Sequence, residues 1–404
     1  MKKITIAVIF DQKISIGGGF QQALNSAIEC KNASSEIFEF IFFSTQRQSI
    51  YHLNEHNLNP IYIRLTFLNK LVSSLMRRIR SKLMYRFLDR IFSTFLIESK
   101  LLKFNIDLVY FLSASSLSLD LNKLNYILTL WDVCHLDEPE FPEVRSDREF
   151  ERREETNRKS LIKAVAVFVD SNVSRQKVSK HYGLSINRVL SMPFQPSINI
   201  SQKKYQIVDI KKEFKINCEY IFYPAQFWAH KNHAFILYAI KELERDGVNI
   251  GAVFSGTDQG NLTFIKNLAQ ELGLSERVKF PGFVEDKFIA SLYSSSIALV
   301  MPSYFGPTNI PPLEAFKVGT PVLCPNKEEL KEQIDDAALL FDMTNPSSLA
   351  SQIKTLMESQ DLREMYINRG RKKISEYTLK NSEIRVRNLN KVLHEFRLKK
   401  NSWM

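Results

Sequence analysis

The chain has 404 residues, 44% hydrophobic and 25% charged, with 55 Lys and Arg against 44 Asp and Glu for a formal charge of +11. This length and apolar content exclude a small stapled module and wholesale disorder, and they predict two or three domains with full cores. The positive balance favours anionic partners. Cys30, Cys134, Cys218 and Cys324 are widely spaced with no C-x-x-C pair, which argues against a disulfide framework or structural zinc and fits a reducing cytoplasm.

The start, Met1-Lys2-Lys3 followed by Ile4 to Phe10, imitates a secretory leader, but the apolar run stops at Asp11-Gln12 and reads instead as a first buried strand over 3–10. No apolar run is long enough to span a bilayer. A helix over 20–30 follows, then strands over 36–44, 107–112, 126–130, 163–170 and 189–192, with Asn172 or Ser174 capping a helix that ends near Gly183. Pro193, Pro196 and the polar stretch 201–212 read as a linker. A second series alternates strands over 220–224, 249–255, 278–281, 297–301 and 321–324 with helices over 232–246, 262–272, 286–294 and 311–318. A charged helix over 362–400 closes the chain. The alternation predicts an α/β protein of two Rossmann-like doubly wound domains, 1–200 and 201–379, facing each other across a cleft, with a C-terminal helix of about 380–404 packing back on the first.

Three segments are candidates for chemistry. Gly17-Gly18-Gly19 falls between the first strand and the first helix, where backbone amides can approach a ligand and the helix N-terminus favours an anion; a ligand-free tight turn explains it equally well. Its spacing is not G-x-G-x-x-G and no acidic residue ends the second strand, which speaks against a nicotinamide cofactor. Lys231, in the run 225–233, sits at a strand's carboxyl edge beside a helix start, a place from which a lysine neutralises a phosphate leaving group. His230 and His233 find no third ligand in that loop, so capping or packing is preferred over a metal. In the run 301–322, prolines preorganise a helix start, amides near 308–310 are expected free to meet an anion, and Glu314 is expected in the first turn, accepting hydrogen bonds from a sugar or satisfying the helix dipole.

The order of Gln226 and Lys231, Gly256 after a strand, Phe280-Pro281-Gly282-Phe283, Met301-Pro302-Ser303, and Pro311-Pro312-Leu313-Glu314-Ala315 with Gly319-Thr320-Pro321-Val322 resembles family 4 of the retaining glycosyltransferases over residues 220–356. The first domain is similar more loosely, through its glycine loop and Trp131-Asp132. The resemblance implies a GT-B fold, a nucleoside-diphosphate sugar as co-substrate, and no metal or other cofactor. It implies a donor held mainly by the second domain, around Gln226, Lys231, Gly256, Gly306, Pro307, Thr308, Asn309, Ile310 and Glu314. The acceptor then meets mainly the first domain, near Gly17, Gly18, Gly19 and Asp132. Lys231 corresponds to the family's lysine in the phosphate-binding loop and Glu314 to its ribose-associated second glutamate. His135 completes the implied catalytic set in place of the family's histidine, and a packed or capping histidine explains it equally well.

Three positions depart from the family pattern: Gly306 stands where the first glutamate is usual, Gln226 where an arginine is usual, and Trp131-Asp132 where His-Asp is usual. In the front-face attack implied by the resemblance, the departing diphosphate oxygen draws the acceptor proton, so the protein's main task is to stabilise departing charge. Glu138, Glu140 and Glu143 read as a solvent loop meeting the acceptor rather than a hydrolytic pair.

Residues 64–103 carry ten Lys or Arg against Asp89 and Glu98, with Leu75, Ile79, Leu83 and Phe87 at helical spacing. This is a basic amphipathic helix suited to an anionic membrane surface, or equally a core-facing helix with a solvated side. No organised set of base readers points to nucleic acid. These readings converge on a cytoplasmic, peripheral, retaining hexosyltransferase acting on a glycan, in particular a lipid-linked one at the inner membrane face, in surface polysaccharide synthesis. The competing readings are a catalytically silent sugar-nucleotide or glycan-binding subunit and a nucleotide-sugar 2-epimerase.

Overall fold

The computed structural model describes residues 3–12, 18–79, 81–197, 200, 209–306 and 309–403. Two compact units result: Met1–Val133, Arg148–Pro193 and Asn381–Met404 in the first, Cys134–Asp147 and Phe194–Lys380 in the second. A division at residue 200 leaves Cys134–Asp147 with the first unit. The contacts of that stretch place it with the second, because Phe141 packs on Tyr304 and Phe305 and Glu143 bonds His230.

The first unit is built on a parallel sheet of β1 (Ile4–Phe10), β2 (Phe38–Ser44), β3 (Ile61–Tyr62), β4 (Leu108–Phe111), β5 (Asn125–Thr129), β6 (Ala166–Val169) and β7 (Val189–Ser191), in the order β3-β2-β1-β4-β5-β6-β7. Both faces of β1 are covered, which is why the run reads as apolar at nearly every position rather than at alternate ones. The second unit repeats the arrangement with β8 (Glu219–Pro224), β9 (Ile250–Ser255), β10 (Val278–Gly282), β11 (Leu299–Val300), β12 (Val322–Pro325) and β13 (Leu339–Phe341), ordered β10-β9-β8-β11-β12-β13. The winding direction reverses between β1 and β4 in one sheet and between β8 and β11 in the other. In doubly wound sheets ligands bind outside the carboxyl ends of the strands at such a reversal. The edge strands β3 and β13 were not expected, since two or three residues carry too little periodicity to register.

Helix starts deviate from expectation for local reasons. Gly18 and Gly19 are helical, within Gly18–Asn32, rather than in a loop before the helix. Gly17 lies outside the described residues. Ser171, not Asn172 or Ser174, caps Asn172–Tyr182, accepting a hydrogen bond from the Ser174 amide.

The basic segment is three helices rather than one, the last being Ile97–Leu102. Phe67–Met76 is held by a reciprocal Thr66–Asn69 capping box, and a new start at Ser81 initiates Lys82–Phe92, because a short polar side chain in extended conformation satisfies a fresh set of amides. Val72, Met76 and Leu96 form a small core here, packed by Ile79, Tyr85, Leu88, Phe92 and Phe95. Ile79 therefore faces inward, while Leu75, Leu83 and Phe87 are exposed.

In the first unit the last helix, Gln360–Lys400, delivers Arg385 into the interior. Its guanidinium donates to Glu29 Oε1 (2.5 Å) and Oε2 (2.7 Å), to Ser26 Oγ (2.8 Å), and to the carbonyls of Met192 (3.2 Å) and Pro193 (2.8 Å).

Candidate active site

The loops that follow β8 and β11 flank the reversal point of the second sheet. After β8 the chain forms a single 3-10 turn, Ala229–Lys231, and Asn232 takes a left-handed conformation (φ 54°) before the helix His233–Arg245. Tyr223, buried at the end of β8, donates its hydroxyl proton to the Lys231 carbonyl (3.1 Å). That hydroxyl has one proton, so its oxygen accepts from Ser303 Oγ (2.9 Å), on the loop after β11. The Tyr304 amide also donates to the His230 carbonyl (2.9 Å). Lysine turn and β11 loop are thus stitched together by main chain and by one buried phenol.

The histidines do different jobs. His233 is fully buried, stacked on Phe227 with ring centroids 4.5 Å apart, and burial together with the Lys231 charge pushes its pKa down to about 3. It is a neutral packing residue, as expected. His230 stacks on Phe305 (3.8 Å), but its amide donates to Glu143 Oε1 (3.0 Å) and its Nδ1 bonds the same oxygen. That departs from simple capping or packing. Burial alone would raise the Glu143 carboxyl, but the hydrogen bonds from the His230 ring and amide outweigh it and hold the group below its ordinary value. Glu143 is accordingly a bonded residue and not part of a solvent loop.

Gln226 is a brace: its carbonyl accepts from Trp228 Nε1 (3.0 Å) and its amide donates to Thr257 Oγ1 (3.2 Å), tying the end of β8 to the end of β9. Gly256, which follows β9, passes so close that a Cβ would stand 2.3 Å from the Ala225 carbonyl oxygen, so only glycine fits.

On the β11 side, Gly306 has φ 105° and its carbonyl accepts from Asn309 Nδ2 (3.0 Å). Pro307 and Thr308 lie outside the described residues. The expectation of free amides at 308–310 fails at Asn309: its amide donates to Gln333 Oε1 (3.1 Å) and its carbonyl accepts from Gln333 Nε2. The buried Gln333, from the helix Glu328–Ile334, thereby clamps the N-cap of the helix Ile310–Val318. Sequence reasoning missed it, since a lone glutamine on a neighbouring helix gives no signal. Glu314 sits in the second turn rather than the first, because the helix starts at Ile310 with Asn309 as cap. The buried Tyr293 hydroxyl donates to Glu314 Oε2 (3.0 Å), which fixes the carboxylate's orientation, while burial and the adjacent charge hold the phenol well above its usual range. Lys327 donates to the carbonyls of Ser303 (3.4 Å) and Tyr304, placing a second cation beside the β11 loop.

His135, in the short helix Cys134–Asp137, is almost wholly buried within this second unit. Nearby Glu138 has its carboxyl raised by burial and by Glu140, with Lys327 offsetting part of the effect.

The reversal point of the first sheet is also polar. Asp11, just past β1, accepts from Ser113 Oγ (2.7 Å), just past β4, and burial raises its carboxyl. This pair was not anticipated; an Asp at the end of an apolar strand is the signal that could have shown it. Asp132 lies 3.8 Å from Arg153 Nη1. Among the described residues no group of three His, Cys, Asp or Glu is arranged to hold a metal ion.

The two parallel sheets share one doubly wound strand order, and at the reversal point of the second the lysine turn is locked to the loop after β11. Residues 207–373 match the model of the family described as Glycosyl transferases group 1, so the second unit carries a group 1 glycosyltransferase domain. The chain is 21% identical to the O-antigen chain mannosyltransferase B of Escherichia coli over 62% of its own length and 67% of that protein's. It is 27% identical to the O-antigen chain mannosyltransferase RfbU of Salmonella typhimurium, over 52% and 60% respectively. Among solved structures, Anabaena Alr3699/HepE in complex with UDP-glucose superposes with a TM-score of 0.68 at 14% identity, covering 99% of this chain and all of that one. The fold is GT-B, as expected from the resemblance.

Proposed function

We propose that the chain is a retaining, metal-independent glycosyltransferase that moves a hexose from a nucleoside-diphosphate sugar to a glycan acceptor carried on a lipid, in surface polysaccharide synthesis. The observation that carries the reading is the stitching of the Lys231 turn to the 303–306 loop through Tyr223, at the reversal point of the second sheet. A diphosphate docked there meets a lysine charge, a second lysine at 327 and a helix start, so charge developing on the departing oxygen is stabilised by groups already in place. Glu314, oriented by Tyr293, offers acceptor oxygens to a ribose diol.

The similarity to two O-antigen chain mannosyltransferases supports a mannosyl donor, and the Anabaena complex with UDP-glucose supports a nucleotide-sugar site in this fold. Gly306 and Gln226 leave the donor sugar and diphosphate to Lys231 and backbone amides. Gly18, Gly19, Asp11 and Asp132 are proposed to face the acceptor. Among the described residues no helix is long and apolar enough to cross a membrane. The basic helix pair, with its exposed apolar side chains, supports peripheral attachment to an anionic membrane.

Purified protein given a panel of nucleoside-diphosphate sugars and lipid-linked acceptors is expected to release nucleoside diphosphate with one donor. Tight binding of a donor without release from any acceptor would instead identify a silent binding subunit.

A further inference from the structure

One cavity lies away from the lysine turn, entirely within the first unit. It is a pocket of about 450 Å³ between the helix Phe67–Met76, the turn Ser116–Asp120 and the helix Glu149–Ser160. Five cations line it, Lys70, Arg77, Arg78, Arg152 and Lys159, against two carboxylates, Asp120 and Glu155. The buried Asp120 is already committed: it accepts from Ser73 Oγ (2.7 Å) and from Arg77 Nε (2.8 Å), and Arg77 Nη2 donates to the Ser116 carbonyl (2.7 Å). The carboxylate therefore fixes a guanidinium in the wall of the cavity instead of neutralising the whole pocket. Lys70 and Arg78 make no side-chain hydrogen bond or ion pair to any other described residue, although the Arg78 charge is felt by Glu155. Hydroxyl groups of Ser74 and Thr156 complete a lining suited to an oxyanion with several acceptor oxygens.

The first of these helices, with the helix that follows it, carries a second, independent feature. Phe67 (77% exposed), Leu68, Leu71 and Leu75 on the first helix, and Leu83 (79%), Met84, Phe87 (64%) and Ile91 on the next, all face outward. Eight large apolar side chains within 25 residues make a patch that water disfavours and a lipid surface accepts. A cationic pocket that shares the helix Phe67–Met76 with an exposed apolar surface matches an anionic head bearing a hydrocarbon tail.

We propose that this pocket binds the phosphate or diphosphate headgroup of a membrane lipid, with the apolar ridge seated among the acyl chains around it. The pocket thus holds the protein at the membrane by recognising a particular headgroup chemistry rather than by charge alone. This deepens the reading of a lipid-linked acceptor, on which it rests, by placing a headgroup site in the first unit.

The test compares two double variants of the full-length protein with equal loss of charge. Lys70→Gln/Arg78→Gln alters the pocket, whereas Arg86→Gln/Arg90→Gln alters exposed cations of the next helix that do not line it. Flotation is measured with phosphatidylcholine vesicles containing phosphatidic acid, a monoester, or phosphatidylglycerol, a diester, matched in surface charge. The wild type is expected to prefer the monoester vesicles. The pocket variant should lose that preference and bind the monoester vesicles about 30-fold more weakly, given roughly 1 kcal/mol for each of the two basic residues removed, while the control variant keeps the preference.

Equal losses in the two variants, or no monoester preference in the wild type, would overturn the proposal. Calorimetry with inorganic pyrophosphate separates the sources: binding that the pocket variant abolishes, without any vesicle preference, would assign the pocket to free phosphate and defeat the lipid assignment. Donor binding measured on the same proteins distinguishes the two readings. A wild type that binds no nucleotide sugar defeats the glycosyltransferase proposal and leaves the vesicle comparison standing.

Discussion

The loop cluster around Lys231 and the helix pair Phe67–Phe92 are both rich in cations and aromatic side chains, but they use them in opposite ways. In the cluster, rings pack against one another and polar atoms are paired: His230 stacks on Phe305, Phe141 packs on Tyr304, and Tyr223 bonds between two loops. On the helix pair, large apolar side chains and several cations project outward with only a small core beneath. The first arrangement fixes atoms to fractions of an ångström, as stabilising a transition state requires. The second offers area and charge to a deformable partner, for which fixed geometry brings little.

This contrast can be broken by substitution, from the largest expected effect to the smallest. Lys231→Ala should lower turnover by ~10²-fold or more while leaving vesicle flotation unchanged, because it removes charge stabilisation from the departing group. Turnover within a factor of two of wild type takes Lys231 out of the mechanism.

Tyr223→Phe deletes the hydroxyl that joins the two loops. Left buried without its partner, the Lys231 carbonyl should reduce unfolding stability by about 1–3 kcal/mol, read by denaturant melts, with a fall in turnover larger than any rise in KM. Unchanged kcat at reduced stability would show the stitch to be structural only.

Glu143 provides a pH signature. Its folded pKa is depressed below the ordinary 4.5, so its contribution to stability is present above that value and is lost as pH falls through the folded pKa. Between pH near 6 and pH near 4, wild type should therefore lose about 1 kcal/mol more stability than Glu143→Gln, the size of one charge-assisted hydrogen bond. Parallel melting curves at both pH values would remove the pair from the account.

Finally, Leu83→Ser/Phe87→Ser should alter stability by less than about 0.5 kcal/mol, since both residues are exposed, while abolishing flotation. A large loss of stability would mean that these side chains pack on something in the free protein.

Much of the fold was legible because it is written in local periodicity. The apolar run of β1, the matched series after Tyr220 and the Pro-Pro helix start each announce themselves within a dozen residues. Lys231, Gly256 and Gly306 were legible as candidates because strand ends, close approaches and positive φ have residue signatures. The partners that decide what those residues do were not: Gln333 grips Asn309 from 24 residues away, and Glu143 reaches His230 across 87. The amphipathic pattern of 64–103 showed the composition correctly but joined separate helices, because a cap such as Ser81 is one weak local signal set against a continuous apolar spacing.

By itself the amino-acid order determined the two α/β repeats, the location of the strand-end loops and the excess of positive charge, since each depends on near neighbours along the chain. Only the tertiary structure decided which polar atoms meet. It placed 134–147 with the second unit, spent the Asn309 amide on a glutamine, and left an apolar ridge beside a cationic pocket. Such choices come from packing between residues distant in sequence, where the gain of a contact is set by shape and burial that no local pattern encodes.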